Sequence, residues 1–233
     1  MARAQAGEPD GLAILAEGQT AARGSRGRSW AGTAGNLYLS ILLRPRNAVE
    51  ARGLGQWALL AGVVLIETLR AFEPEAGVLS LKWPNDVLRE GAKLAGILLD
   101  ASAGADGLDW LVIGLGANLA EPPVVAGRRT AALGRYAAEH GAEPAAPRAV
   151  TLALLERLEQ WRHRLAVEGF APVRAAWLAA AHPLGTPITV SDARGARGGA
   201  FAGLSPEGAL LLEGPDGQVS TMSTGDVLLG RRV

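Results

Sequence analysis

Residues 78–99, VLSLKWPNDVLREGAKLAGILL, decide how this chain folds, because they combine strand-like runs with two turn signals. Val78–Lys82 is rich in aliphatic residues and predicts a strand, and the Trp83–Asp86 tetrapeptide (WPND) that follows predicts a turn. Arg89-Glu90-Gly91 predicts a second turn, which leads into another strand over Lys93–Leu99. The segment therefore predicts a strand followed by a β-hairpin.

Both lysines of the chain lie in this segment. Of the 23 basic side chains, only Lys82 and Lys93 are lysines. Lysine is a compact charge on a flexible stem, whereas arginine is a planar fork. Pairing across the predicted hairpin brings Lys93 near Lys82 and Asp86. On these residues alone two interpretations stay open: an ordinary ion pair, or a magnesium ion held by Asp86 while lysine neutralises a transferring group.

The remaining elements predict an α+β fold. Apolar residues at helical spacing predict helices, and branched or aromatic runs predict further strands. The helices are expected at 51–72, 151–167 and 171–181, and the strands at 12–16, 36–43 and 110–113. From Leu184 onward, short strands alternate with Gly-rich turns, which predicts a small β barrel. We therefore expect a main domain over 1–183 and a small one over 184–233.

Two further segments contain residue types that bind ligands. The loop at 22–30 is rich in arginine and glycine, with Arg23, Gly24, Arg26, Gly27 and Arg28. Glycines let backbone N–H groups approach an anion, and arginines bind phosphate or carboxylate, although such a loop is also typical of a solvated surface. Residues 114–118, GLGAN, end a predicted strand; they indicate either a tight turn or a nucleotide contact.

Composition excludes several classes of protein. The formal net charge is zero and there are no cysteines, which argues against a nucleic-acid-binding surface and excludes disulfides and thiolate metal sites. The histidines, His140, His163 and His182, lack metal-ligand spacing, and we interpret them as surface or capping residues. The longest apolar run, Ala58–Ile66, is about half of the ~20 residues that a membrane span needs. We expect no membrane association and a cytoplasmic location.

Taken together and in this order, five motifs resemble the biotin–protein ligase family. They are AEGQTAARGSRGRSW at 16–30, SLKWPND at 80–86, KLAGILLD at 93–100, VIGLGANL at 112–119 and LSPEGALLLEG at 204–214. The resemblance is to the simple form of the family, without a DNA-binding domain. It implies a mixed β sheet with flanking helices, related to class II synthetase and lipoyl ligase cores, and an SH3-like C-terminal barrel.

The resemblance also implies a two-step reaction. Biotin is activated with Mg·ATP to biotinyl-5′-adenylate, and a lysine of the biotin carboxyl carrier protein of acetyl-CoA carboxylase then takes the biotinyl group. The biotin-contacting positions implied are Gln19, Arg23, Gly24, Ser25, Lys93 and Gly96, with Lys93 and Arg23 as catalytic residues. The ATP-contacting and adenylate-contacting positions implied are Arg26, Arg28, Trp30, Lys82, Asn85, Asp86 and Asn118, with Asp86 as the magnesium ligand.

This sequence departs from the family pattern in two places. Ser25 stands where the family loop has an arginine, so we expect weaker retention of the adenylate unless Arg26 or Arg28 compensates. The family's biotin-contacting Ser/Thr-Thr-Asn segment is absent upstream of Met1-Ala2-Arg3-Ala4, so we expect that the start of the sequence is truncated.

Three other functions compete with this interpretation. A lipoate or octanoate ligase shares the core fold, and a biotin-binding protein without turnover would fit the short N-terminus and Ser25. A nucleic-acid-binding module would rest on the arginine loop, and zero net charge counts against it. We expect no DNA partner, and a homodimer is compatible with the sequence without being required by any segment.

Overall fold

The fold is described from a computed structural model, which covers residues 1–21, 23–24, 33–73, 75, 77–105, 107–139, 141 and 143–230. The helices are α1 Ala2–Gln5, α2 Leu54–Arg70, α3 Leu133–Glu139, α4 Pro147–Glu168 and α5 Ala171–Ala180. The strands are β1 Ala13–Ala16, β2 Leu37–Leu43, β3 Leu79–Lys82, β4 Asp86–Arg89, β5 Ala92–Gly104, β6 Gly107–Ala117, β7 Pro187–Asp192, β8 Gly195–Leu204, β9 Leu210–Glu213, β10 Val219–Met222 and β11 Asp226–Leu229.

The larger sheet has the strand order β1-β2-β6-β5-β4-β3. The α+β class is confirmed, but every strand pair described in this sheet is antiparallel, whereas the resemblance implied a mixed sheet. The reason is local: β3 to β6 follow one another through short turns, and each turn reverses the chain. Between β4 and β5, Glu90 and Gly91 both have positive φ, 49° and 75°, as a tight two-residue hairpin turn requires.

The two faces of this sheet have different partners. One face carries Leu39, Ile41, Ile113 and Leu115, which belong to the same main core as the apolar residues of helix α2. Helix α2 itself contacts β3, β4 and β5. The predicted helix at 51–72 is thus confirmed, with its described bounds at Leu54–Arg70. On the opposite face, Ala4 of α1 packs with Leu42 and Trp110 at one end. Among the described residues the rest of that face is open and contains a cavity.

The second sheet, in the order β10-β9-β8-β7-β11, begins at Pro187 and agrees with the small C-terminal β unit that the Gly-rich pattern predicted. Two parts of this sheet have a weak strand pattern in the sequence: strand β10 and the start of β8 at Gly195. These segments are mostly exposed, so they lack the apolar alternation that marks a strand. The boundary at residue 183 stays a prediction. No described helix is long and apolar enough to cross a membrane.

The second sheet contacts the first one at the turn between β3 and β4. The Trp83 indole Nε1 donates a hydrogen bond to the Gly208 carbonyl at 3.4 Å, and the Lys82 ammonium donates to the Val227 carbonyl at 3.1 Å. Gly208 has φ +92°, and a Cβ there would lie 2.7 Å from Leu59 Cδ1, so a larger residue does not fit. The C-terminal sheet is therefore packed directly beside the predicted lysine site.

Candidate active site

The two lysines and Asp86 form one cluster, which we call the lysine cluster. Lys82 Nζ lies 2.8 Å from Asp86 Oδ2, and Lys93 Nζ lies 2.5 Å from Asp86 Oδ1. Strand register produces this arrangement, because Asp86 is directly opposite Lys82 on β3. A register shift between Val87 and Leu88 places Lys93 opposite Leu88, two residues from Asp86 on β4. The predicted approach of Lys93 to Lys82 and Asp86 across the hairpin is confirmed.

The lysine cluster carries a surplus of positive charge. Burial of Asp86 raises the pKa of its carboxyl, but the charges of Lys93 and Lys82 and their hydrogen bonds outweigh burial, so that the pKa lies below its ordinary value. Asp86 is therefore ionised at neutral pH, and one negative charge faces two positive ones. The Lys93 side chain is 24% exposed and lines a cavity, so the surplus charge is offered to an anion there.

The cavity beside Lys93 has a volume of about 260 Å³ and lies on the open face of the large sheet. It is lined by residues of β2, β5 and β6, and by the segment after β1. Six of the residues that the family resemblance singled out line it together: Gln19, Arg23, Gly24, Asn85, Lys93 and Gly96. The structure thus brings the described part of the predicted biotin site into one place, while the individual roles stay predictions.

Two glycines of β6 form much of the cavity floor. Gly114 and Gly116 lie within the strand, which continues to Ala117, so the interpretation of this segment as a tight turn is wrong. Gly116 is directly opposite Gly96, and a Cβ at Gly114 would lie 3.4 Å from the Leu98 carbonyl oxygen. Bare backbone here leaves room for a ligand to lie flat on the sheet.

Asparagines flank the lysine cluster on two sides. The Asn85 amide donates to the Ile97 carbonyl at 2.6 Å, which fixes this side chain at the cavity wall. The Asn118 amide donates to the Ala131 carbonyl at 2.9 Å, whereas its Oδ1 is buried and has no hydrogen-bond partner among the described residues. A buried acceptor of this kind favours a donor from a ligand, such as the exocyclic amine of adenine.

Part of the predicted site lies outside the described residues, namely Ser25, Arg26, Arg28 and Trp30. Their predicted contacts with the adenylate, and the expected effect of Ser25 on its retention, stay predictions. Of the arginine and glycine loop, Arg23 and Gly24 are described, and both line the cavity.

The donor set around Asp86 does not fit a magnesium ion held by the protein. Both Asp86 oxygens already accept hydrogen bonds from ammonium groups, and Mg²⁺ requires several oxygen ligands in octahedral geometry. Within the described residues no three His, Asp or Glu side chains are grouped as metal ligands. The predicted role of Asp86 as the magnesium ligand therefore disagrees with the described geometry, in which Asp86 is the partner of the two lysines.

Sequence reasoning missed the polar and apolar residues that complete the cavity: Ser40, Leu98, Asp100 and Val112. The alternation of side chains along a strand could have located them. Residues 96, 98 and 100 share one face of β5, and residues 112, 114 and 116 share one face of β6. The interpretation of His182 as a surface or capping residue also needs correction on its first part. The residue is half-buried, and its Nε2 atom is fully buried.

Comparisons with known proteins identify a family and related enzymes. A family model described as the biotin/lipoate A/B protein ligase family matches residues 3–118. The chain is 37% identical to a biotin–[acetyl-CoA-carboxylase] ligase from Paracoccus denitrificans, over 88% of this chain and 85% of that protein. It is 30% identical to the bifunctional ligase/repressor BirA of Bacillus subtilis, over 95% of this chain and 67% of that protein.

A solved structure agrees with the fold as well. The biotin protein ligase from Aquifex aeolicus, in complex with biotin and ATP, matches with a TM-score of 0.80 at 26% sequence identity. The match covers 96% of this chain and 90% of that structure.

Proposed function

This chain belongs to the biotin/lipoate A/B protein ligase family, and we propose that it is an ATP-dependent biotin ligase. It activates biotin to biotinyl-5′-adenylate and transfers the biotinyl group to a lysine of a biotin carboxyl carrier protein. The observation that carries this proposal is the lysine cluster at the cavity wall, where Lys93 is held by Asp86 and faces the space for a ligand.

In the first step a carboxylate oxygen of biotin attacks the α-phosphorus of ATP. The bond from that phosphorus to the bridging oxygen breaks, and pyrophosphate leaves with the electron pair. Negative charge is concentrated on the phosphoryl oxygens, where the Lys93 ammonium stabilises it. Because Asp86 holds Lys93 at 2.5 Å, the cation is already oriented when the charge develops.

In the second step the neutral amine of the acceptor lysine attacks the carbonyl carbon of the mixed anhydride. The bond from that carbon to the phosphate oxygen breaks, AMP leaves, and the new amide nitrogen loses a proton to solvent. The charge that returns to the phosphate is again adjacent to Lys93. The same cation therefore serves both steps, first for the forming anhydride and then for the departing AMP.

The nucleotide lies on one side of the lysine cluster, next to Lys82 and Asn118. The buried, unpartnered Oδ1 of Asn118 accepts the adenine amine, and Lys82 adds positive charge near the phosphates. Arg26, Arg28 and Trp30 complete this part of the site, as the family resemblance implies. Magnesium enters only as the counterion of ATP.

The test is exchange of labelled pyrophosphate into ATP, measured with biotin, with lipoic acid and with neither acid. We expect exchange that depends on biotin, followed by transfer of biotin to an added carrier domain. Exchange that requires lipoic acid instead would make the chain a lipoate ligase. Retained biotin binding without any exchange would make it a non-catalytic biotin-binding protein.

The acceptor protein, the oligomeric state and the cellular location are proposed separately from the reaction. The carrier protein of acetyl-CoA carboxylase is the acceptor implied by the name of the Paracoccus denitrificans relative. A homodimer, the absence of DNA binding and a cytoplasmic location stay predictions from the sequence.

A further inference from the structure

The segment that joins β6 to α3, which we call the β6–α3 loop (residues 118–132), is tied to strand β5 by main-chain hydrogen bonds. The Lys93 N–H donates to the Arg129 carbonyl, and the Ala131 N–H donates to the Lys93 carbonyl, both at 2.9 Å. Thr130 therefore lies opposite Lys93 in a parallel bridge. Residues 129–131 thus form a short additional strand along the start of β5.

The first residue of this loop, Asn118, is oriented by the last part of it. The Asn118 N–H donates to the Leu94 carbonyl at 2.9 Å, which fixes its main chain. The Asn118 side-chain amide donates to the Ala131 carbonyl, also at 2.9 Å. Because the nitrogen and the oxygen of an amide point in different directions, this bond also sets the direction of Oδ1, which has no partner among the described residues. The position of Ala131 therefore determines where the Asn118 acceptor points.

A side-chain hydrogen bond joins the two arms of the loop. The Thr130 hydroxyl donates to the Pro123 carbonyl at 2.7 Å, across seven residues. Between these residues the chain reverses in a turn, in which the Arg128 N–H donates to the Val125 carbonyl at 3.1 Å. Pro123 is buried, so it is a fixed point of attachment for the arm that carries Ala131.

Thr130 has no described contact with the ligand cavity. It is not among the residues that line the cavity beside Lys93, and its hydroxyl is already used by Pro123. The Lys93 ammonium is held separately by Asp86. The hydroxyl of Thr130 therefore acts on the loop and on Asn118, and not on the cation of the site.

We propose that Thr130 is a positioning residue for the nucleotide: its hydroxyl fixes the segment that orients Asn118, and so it maintains a preference for adenine. The proposal rests on the ligase function and specifies how its nucleotide site is held. Adenine presents an amine donor at position 6, whereas hypoxanthine presents a carbonyl acceptor there. A well-oriented acceptor at Asn118 favours the first base, because the second leaves that acceptor unpaired.

The test compares Thr130→Val, Thr130→Ser and the unchanged chain in biotin-dependent pyrophosphate exchange with ATP and with inosine triphosphate. Valine keeps the shape of threonine without its hydroxyl, whereas serine keeps the hydroxyl. For Thr130→Val we expect KM for ATP to rise about 3- to 10-fold, as for the loss of one neutral hydrogen bond. We expect changes below about twofold in KM for inosine triphosphate and for biotin, and in every KM of Thr130→Ser.

Thr186→Val is the matched control. The Thr186 hydroxyl also donates to a proline carbonyl, that of Pro183 at 2.6 Å, in the loop before β7. Its KM for ATP should equal that of the unchanged chain. An unchanged KM for ATP in Thr130→Val would overturn the proposal. An equal rise for ATP and inosine triphosphate, or an equal rise in Thr130→Ser or Thr186→Val, would also overturn it, since the preference for adenine would then not depend on this hydroxyl.

Calorimetric binding of α,β-methylene-ATP, which cannot form the adenylate, keeps this test separate from the test of the ligase function. If the unchanged chain shows no exchange but binds this analogue, the ligase function fails, and weaker binding by Thr130→Val would still support the role of Thr130. Equal binding by both proteins, or no binding by the unchanged chain, would overturn that role.

Discussion

Two clusters of buried charges in this molecule differ in what surrounds them. The lysine cluster has two cations for one carboxylate and faces a cavity. The second cluster, which we call the Arg162 cluster, joins Asp10 before β1, Glu50 before α2 and Arg162 on α4. Its guanidinium is fully engaged: Nε and Nη2 bond Glu50, Nη1 bonds both oxygens of Asp10, and Nη2 also bonds the Arg44 carbonyl.

The comparison separates a structural use of charge from a functional one. In the Arg162 cluster carboxylates outnumber the central cation, every N–H group of Arg162 is satisfied by protein, and Arg162 and Glu50 are each 1% exposed. Nothing there is available to a ligand. In the lysine cluster Lys93 remains 24% exposed, and the excess charge is positive. Burial alone therefore does not indicate function; a partly exposed charge beside a cavity does.

The largest effect on stability is expected from removing the centre of the Arg162 cluster. Arg162→Leu leaves the buried carboxylate of Glu50 without its cation, which typically costs about 3–5 kcal/mol of the free energy of unfolding. Urea denaturation followed by circular dichroism measures this loss.

The matched control is Arg164→Leu on the same helix. Arg164 is 49% exposed, bonds Glu168 and lies over Trp161, so its loss should cost less than about 1 kcal/mol. Equal losses in Arg162→Leu and Arg164→Leu would contradict the structural role of the Arg162 cluster.

A smaller effect, and one on activity, is expected from Asp86→Asn. The amide keeps the shape of the side chain but cannot balance two ammonium groups, so Lys93 loses the partner that orients it. We expect pyrophosphate exchange to fall about 10- to 100-fold, as for the loss of one hydrogen bond to a charged group. Asp216→Asn, in a turn of the C-terminal sheet, should leave the exchange rate unchanged. Normal exchange by Asp86→Asn would show that Lys93 needs no fixed partner.

The smallest effect is a dependence of stability on pH that arises at His182. Burial and the charge of Lys82 lower the pKa of His182 below 6.5. The unfolded chain therefore takes up this proton at higher pH than the folded chain. The free energy of unfolding has its full value above pH 6.5 and decreases as pH falls through the lower pKa of the folded state. Urea denaturation between about pH 7 and pH 5 should show this decline, and His182→Gln should remove it. The same decline in both proteins would assign it to another group.

The sequence was most informative where a local pattern determines the contact. The motif around Lys82, Asp86 and Lys93 predicted a hairpin, and a hairpin places these side chains together without help from distant parts of the chain. Of the two interpretations of Gly114 and Gly116, the tight turn is wrong. Glycine marks a turn as well as a strand that leaves room for a ligand, so the sequence did not separate the two. Asp100 was missed because only the sheet register shows that it faces the cavity.

The Arg162 cluster could not be predicted for a different reason. Asp10, Glu50 and Arg162 are far apart along the chain, and an arginine on a helix with many charged residues is typical of an exposed face. Its burial depends on how α4 packs beside β2 and the segment before α2, which is a property of the tertiary structure. Long-range pairing of single charges leaves no periodic signal in the sequence.

In the proposed reaction Lys93, oriented by Asp86, stabilises the charge that develops during biotin activation. The most direct test of this role is pyrophosphate exchange with biotin by Lys93→Ala and by the unchanged chain, at equal folded fraction as judged by circular dichroism. We predict a loss of about 10²- to 10³-fold in the exchange rate, the size expected when one preorganised group that stabilises the transition state is removed. An exchange rate within a factor of about two of the unchanged chain would contradict the claim, since a difference that small lies well below the effect of such a group.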